Sequence, residues 1–277
     1  MRGLAPLRED ELRAALHARG QHRFAAALHF HAELGSTSTR ARELAEAGAP
    51  DGTLVVADRQ TAGRGRHGRE WFSPPGRNLY ATFVLRPDAL PLSLAPALSL
   101  ATAVALAQAI ETLSGLRPAL KWPNDVLLGT RKCAGILPEL TGRGERAHYV
   151  LIGVGVNVNL EAAALPDELA GLATSLAIEA RRTFSRGVLL AELCAFLDPW
   201  VARLQHEGVT PIAHAWRARA GHLGARVRFE GERGQRGEGI ALALDDDGAL
   251  LVRDAEGGIH RVLGGEVLVL DEVLNED

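Results

Sequence analysis

Lys121-Trp-Pro-Asn-Asp-Val-Leu-Leu-Gly-Thr-Arg-Lys132 reads as strand, turn and strand. One strand spans Ala119–Trp122, Pro123-Asn124-Asp125 makes the turn, a second spans Val126–Leu128, and a third opens at Lys132. The same stretch holds both lysines of the chain, among 31 Lys and Arg residues in all. A guanidinium is a broad planar fork, whereas an ammonium is a compact point charge that fits against one carboxylate or phosphate oxygen. A chain that uses Arg for nearly every other cation retains Lys where an ammonium is needed. Chemistry is therefore expected here.

Working outward, the middle of the chain is rich in strands, with Lys132–Leu140 and Tyr149–Val158 following the first two. Upstream, Leu7–Arg19 reads as a short helix and Leu28–Leu34 alternates as a strand. Gly35-Ser-Thr-Ser-Thr39 opens a helix to about Ala47 with several N-cap hydroxyls. Leu54–Ala57 and Asn78–Arg86 are strands. Leu92–Leu113 is a long apolar helix stopped at Gly115, read as a buried core helix because much of it is Ala, interrupted by polar residues. Helices are expected over Val188–Gln205 and Pro211–Ala220. After Gly221 the texture changes to short strands, Arg226–Glu230, Gly239–Leu244, Leu250–Arg253, Ile259–Leu263 and Glu266–Leu270, between Gly- and Asp-rich turns. That pattern fits a small antiparallel barrel. The expected divisions are an N-terminal helical extension, 1–27, a main domain, 28–220, and the small β domain, 221–277.

The chain has 277 residues, 47% apolar, 23% charged, with a net charge of -3. That balance disfavours a protein that coats nucleic acid or anionic membrane. Two cysteines, Cys133 and Cys194, make neither a disulfide framework nor a zinc site, and Met1–Gly20 is charged throughout, so a soluble cytoplasmic protein is expected.

Gly63-Arg-Gly-Arg-His-Gly-Arg69 follows a strand. Its glycines allow backbone N–H groups to approach a ligand, and its arginines supply planar donors for phosphate or carboxylate. It is neither a Walker A loop nor a dinucleotide fingerprint. The compact segment Trp71–Tyr80 that follows favours an ordered site over a solvated coil. Asn124 and Asp125 either satisfy turn backbone groups or meet a ligand. In Gly153-Val-Gly155-Val-Asn157 the glycines permit close backbone approach, and Asn157 either faces a ligand or ends the strand. Cys133 reads as a core filler, and His29 and His31 as a solvated strand face.

Together, Gly63–Arg69 with Trp71, Ser73-Pro74 and Asn78-Leu-Tyr80, then Lys121–Asp125, Lys132-x-x-Gly135-Ile-Leu137, Gly153-x-Gly155-x-Asn157 and Gly264-Gly-Glu266, resemble the biotin–protein ligases. The resemblance implies an α+β fold, a mixed β-sheet catalytic domain packed with helices as in class II aminoacyl-tRNA synthetases, followed by an SH3-like β-barrel. It implies a biotin–[biotin carboxyl carrier protein/acetyl-CoA-carboxylase] ligase that makes biotinyl-5′-AMP from biotin and ATP, with Mg²⁺, and passes biotin to a lysine of the carrier. By resemblance Ser36, Thr37, Ser38 and Gln60 meet biotin, and Arg64, Gly65 and Arg66 hold biotin and adenylate. Lys132 lies at the carboxylate–phosphate junction with Lys121 nearby, so Lys132, Arg66 and Lys121 are the catalytic candidates. Arg66, Arg69, Trp71, Asn124, Asp125 and Asn157 fall to the nucleotide, and Asp125 is a candidate metal ligand. Ser38 stands where many members carry Asn, and Leu270 where some carry Arg. Only 35 residues precede Ser36, too few for the winged-helix domain of some members, so no DNA-binding repressor activity is expected. A monomer or homodimer without nucleic-acid or membrane partners is expected. A lipoate–protein ligase and a non-catalytic biotin sensor are the alternatives.

Overall fold

The computed structural model describes residues 5–86, 91, 94, 96–143, 146–231 and 234–270. A seven-stranded sheet forms its centre: β1 (Leu28–Leu34), β2 (Thr53–Gln60), β3 (Leu79–Leu85), β4 (Ala119–Lys121), β5 (Asp125–Leu128), β6 (Arg131–Arg143) and β7 (Arg146–Val156), in the order β1-β2-β3-β7-β6-β5-β4. β1 and β2 are parallel, joined through α3 (Thr37–Glu46), and every other pair is antiparallel. The sheet is mixed, as the resemblance implied.

Period-two alternation gives the sheet two unlike faces. Val150, Ile152, Val154 and Val156 of β7 join one apolar core with α4 (Ala97–Ser114), α6 (Arg186–Glu207) and α7 (Thr210–Arg217). α4 is buried along nearly its whole length, packed on α6, α7 and the sheet, which accounts for its apolar sequence. It starts at Ala97, later than the expected Leu92, because Pro96 precedes it and proline is tolerated only at a helix's first turn. Residues 92, 93 and 95 of the expected stretch lie outside the described residues. Gly115 ends the helix at φ +75°, a left-handed cap. Burying side chains the size of Leu98, Val104, Leu106 and Ile110 stabilises by about 1.5–3 kcal/mol each.

α1 (Glu9–Ala18) places Leu12 and Leu16 in the same core, and the five-residue α2 (His22–Ala26) adds Phe24, edge-on to Phe83. On the opposite face, α3 covers β2, β3 and the first half of β7, through Ala41, Ala45, Val55, Val84, Tyr149 and Leu151. The rest of that face is left open for a site.

Beyond α7 a five-stranded antiparallel sheet runs β8 (Arg226–Gly231), β9 (Arg236–Leu244), β10 (Leu250–Arg253), β11 (Ile259–Val262) and β12 (Gly265–Val269), ordered β11-β10-β9-β8-β12. Val227 and Phe229 point inward while Arg226, Arg228 and Glu230 point out. This small sheet docks on the larger domain at three points. The Trp122 indole donates to Gly248 O (3.1 Å), Arg217 donates to Leu244 O and Asp246, and Arg69 pairs with Glu266.

Candidate active site

The open face is a floor made by one row of cross-strand partners. Ala57, Tyr80, Gly155, Gly135, Asp125 and Lys121 pair in sequence from β2 to β4, so they share a face. Glycine at the middle of that row leaves the floor without side chains. A Cβ at Gly155 would lie 2.6 Å from the Trp71 indole, and one at Gly135 3.1 Å from the same ring. The ring therefore packs against the backbone of both glycines, and its Nε1–H is buried with no acceptor among the described residues.

A bulge aims the reactive end. Ala134 and Ile136 of β6 face the core, so regular alternation would send Lys132 there too. Val126 pairs with Ala134 but Leu127 with Lys132, which leaves Cys133 as an extra residue and turns Lys132 onto the open face. There its Nζ lies 2.5 Å from Asp125 Oδ1 and 5.4 Å from the Trp71 ring centroid. Its backbone is gripped by the segment after β7, since Lys132 N donates to Leu172 O and Lys132 O accepts from Thr174 N, both at 2.9 Å. Lys121 pairs with Asp125 in register. Burial holds its ammonium pKa below the ordinary value, Asp125 opposing and Lys132 reinforcing the shift.

The arginine loop is ordered through its own backbone. Gly65 N donates to Arg69 O (2.7 Å) and Trp71 N to Gly63 O (2.9 Å). Gly63 is required because a Cβ would lie 2.6 Å from Ser73 Oγ, and Gly68 turns at φ +73°. Each arginine reaches a different element. Arg64 donates to Glu139 (3.3 Å), Arg66 to Asn124 Oδ1 (3.2 Å), and Arg69 forks onto Glu266 with one hydrogen bond, Nη2 to Oε2 (2.9 Å), and one ion-pair contact, Nη1 to Oε1 (2.6 Å). That fork holds the Glu266 carboxyl below its ordinary pKa. Asn124 is itself fixed, donating to Ile136 O (2.8 Å).

At the other end of the cavity, Gln60 Oε1 accepts from Thr37 N (2.8 Å) and Thr37 Oγ1 (3.1 Å), while its Nε2 donates to Ser73 Oγ (3.2 Å). The expected cap of α3 by its own hydroxyls is thus replaced by one from β2. Ser36 occupies the N-cap position without a side-chain cap bond. Thr82 Oγ1 donates to Thr37 Oγ1 (2.9 Å), and Ser38 Oγ lies 3.4 Å from Thr82 Oγ1.

Gly135, Gly155 and Trp71, the three loop arginines, both lysines, Asp125, Gln60 and Ser36–Ser38 border one cavity of about 270 Å³, whose wall carries Arg64, Arg66, Arg69, Lys121 and Lys132 against Glu70, Asp125 and Glu266. The excess of cations suits an anion, and the apolar floor and hydroxyl-lined end suit a small neutral ring beside it.

Two family models match the chain: the biotin/lipoate A/B protein ligase family over residues 32–157 and the biotin protein ligase C-terminal domain over residues 222–270. The chain belongs to the biotin protein ligases. It is 42% identical over 264 residues to the bifunctional ligase/repressor BirA of Bacillus subtilis, covering 94% of this chain and 78% of that protein. It is 38% identical to the biotin–[acetyl-CoA-carboxylase] ligase of Paracoccus denitrificans, over 82% of this chain and 94% of that one. A biotin protein ligase from Aquifex aeolicus, solved with biotin and ATP, superposes with a TM-score of 0.76 at 30% identity, covering 88% of this chain and 98% of the other.

Within this ligase, the fourteen residues expected from the sequence at the site all border the cavity: Ser36, Thr37, Ser38, Gln60, Arg64, Gly65, Arg66, Arg69, Trp71, Lys121, Asn124, Asp125, Lys132 and Asn157. Asn157 differs from the rest. Its amide donates to Thr174 O (3.0 Å) and accepts from Asn78 (3.2 Å), so it braces the wall. Cys133 is buried, as expected of a core filler. His29 and His31 are half-buried beside Arg40, not solvated, and burial lowers both pKa values. The sequence reading missed Leu160, Leu165, Leu169 and Leu172, which close one side of the cavity. They lie around short 3₁₀ turns, Ala162–Ala164 and Asp167–Leu169, which carry no helical period to reveal them. Leu270, where some members carry Arg, ends the β12 region with its N–H donated to Arg226 O (2.8 Å).

Proposed function

We propose that this chain is an ATP-dependent ligase that activates biotin as biotinyl-5′-AMP and transfers it to a lysine of a biotin carboxyl carrier domain. The observation that carries this is the Lys132–Asp125–Trp71 cluster on a glycine floor, in a chain of the biotin protein ligase family. In the first step a biotin carboxylate oxygen bonds to the α-phosphorus of ATP and the bond to pyrophosphate breaks. An anion meets a polyanion there, and Lys132 and Arg66 offset the charge that grows between them, with Lys121 beside the departing phosphates. In the second step the acceptor amine bonds to the acyl carbon, the bond to AMP breaks, and the amine gives up a proton.

Ser36, Thr37, Ser38 and Gln60 present hydroxyl and amide groups to the biotin ring, with Arg64, Gly65 and Arg66 between ring and phosphate. Trp71, Asn124, Asp125 and Arg69 flank the nucleotide, and Asn157 acts by holding the wall. Asp125, on the cavity wall beside Lys132, is the carboxylate that would hold a Mg²⁺ brought with ATP. When bound, the ion offsets phosphate charge. Cys133 and Cys194 are free thiols, in keeping with a reducing cytoplasm. The test is incorporation of labelled biotin into a purified carrier domain. Incorporation requiring both ATP and the acceptor lysine is expected, and incorporation of lipoate in preference to biotin would overturn the assignment.

A further inference from the structure

Among the described residues, Asp58–Arg186 is the one ion pair with both side chains less than a tenth exposed (8% and 5%). Neither residue borders the active-site cavity. Asp58 lies on β2, two residues before Gln60, and Arg186 opens α6. The carboxylate collects donors from three directions: Oδ1 accepts from Arg186 (2.6 Å) and from Leu7 N (2.9 Å), and Oδ2 accepts from Gly76 N (3.1 Å). Arg186 in turn donates to Asn78 O (3.2 Å) and Ala5 O (3.0 Å). Four segments distant in sequence are thus tied at one buried point.

One of those segments forms the back of the site. Residues 71–78 carry Trp71 and Ser73, and Ser73 Oγ accepts from Gln60, which orients Thr37. The loop is held at its middle by Tyr80 Oη, which donates to Pro74 O (3.0 Å), and at its far end by Asp58 and Arg186. A buried ion pair is a weak source of stability, and apolar replacement of both partners is often neutral. Apolar side chains, however, cannot accept the N–H groups of Gly76 and Leu7 together. The pair therefore serves geometry.

We propose that Asp58 and Arg186, closed over by residues 5–7, are positioning residues that fix loop 71–78 and so preset the biotin end of the site. The word biotin here rests on the function proposed above. The experiment compares KM for biotin and for ATP in biotin-dependent pyrophosphate exchange, alongside the melting temperature, for full-length enzyme, Asp58→Leu/Arg186→Met, Arg186→Lys, and a chain lacking residues 1–7. The double variant leaves the N–H groups of Leu7 and Gly76 without their acceptor, so it is expected to melt somewhat lower yet raise the biotin KM by about tenfold or more, since displacements of an ångström are that costly. Its ATP KM should rise less than its biotin KM, because the pair bonds the loop at Gly76 and Asn78 while Trp71 is held separately by its N–H to Gly63 O. Arg186→Lys should fall between, keeping the charge but losing the fork to Ala5 O and Asn78 O. An unchanged biotin KM in a folded variant, or both KM values rising in step with a falling melting temperature, would overturn the proposal. Wild-type enzyme without biotin-dependent exchange would instead defeat the functional reading beneath it.

Discussion

Lys132 is held before substrate arrives, by Asp125 at 2.5 Å and by the Trp71 ring, so its charge needs little reorganisation during reaction. Lys132→Ala is expected to slow adenylation by on the order of a hundredfold, the loss typical of one such donor. Lys132→Arg should not restore it fully, because the wider guanidinium does not fit the same gap. Single-turnover measurement of each half-reaction checks this. Transfer from preformed biotinyl-AMP should suffer much less, and equal losses in both halves would contradict the role. Gly155→Ala is a second residue test. Its Cβ would meet the Trp71 indole at 2.6 Å, so calorimetry should show weakened nucleotide binding, while overpacking costs about 1–3 kcal/mol of stability. At this scale the lysines were legible because composition isolates them. The bulge at Cys133 that aims Lys132 was not, since a one-residue slip in pairing leaves no mark in an apolar strand. Asn157 kept its place at the wall while its amide turned inward to Thr174 and Asn78, a choice made by partners about 17 and 79 residues away.

The helix α3 shows how elements depend on one another. The N–H and hydroxyl of Thr37, its first residue, lean on Gln60 of β2 rather than on a local cap. Gln60→Ala should therefore lower stability by about 1 kcal/mol, as loss of a cap does, and raise the biotin KM at once. Urea unfolding and steady-state kinetics on one preparation measure both, and a stability loss with unchanged biotin KM would contradict the link. Long elements were legible. β1, with its alternating Leu28–Leu34, and α6, with its apolar period, lie where their patterns put them. α2 and α5 (Leu176–Ala180) escaped notice because five residues give too little of a 3.6-residue period. α5 is capped locally by Ser175 and tied to β6 by Glu179, which pairs with Arg131.

For the whole molecule, the joint between the two sheets is the point of interest. Gly221 marked the change of texture in the sequence, and the small antiparallel sheet follows it. That Glu266 turns back to hold Arg69 across the cavity mouth is a tertiary fact no local pattern carries. His222 lies buried in the joint, edge-on to Trp216 at 5.7 Å, and burial pushes its pKa from 6.5 down to about 4. The fold keeps it neutral while the unfolded chain binds a proton between those values. Stability should thus fall as pH drops from 6.5 towards 4, by about 3 kcal/mol from this group. Melting curves at pH 7 and pH 5 for wild type and His222→Phe check it: the variant should lose less on acidification, and identical losses would assign the pH dependence elsewhere. The central claim concerns chemistry at the Lys132 cluster, and ATP–pyrophosphate exchange tests it most directly. Exchange that requires biotin, is not supported by lipoate and collapses in Lys132→Ala is expected, whereas exchange indifferent to biotin or to Lys132 would contradict it.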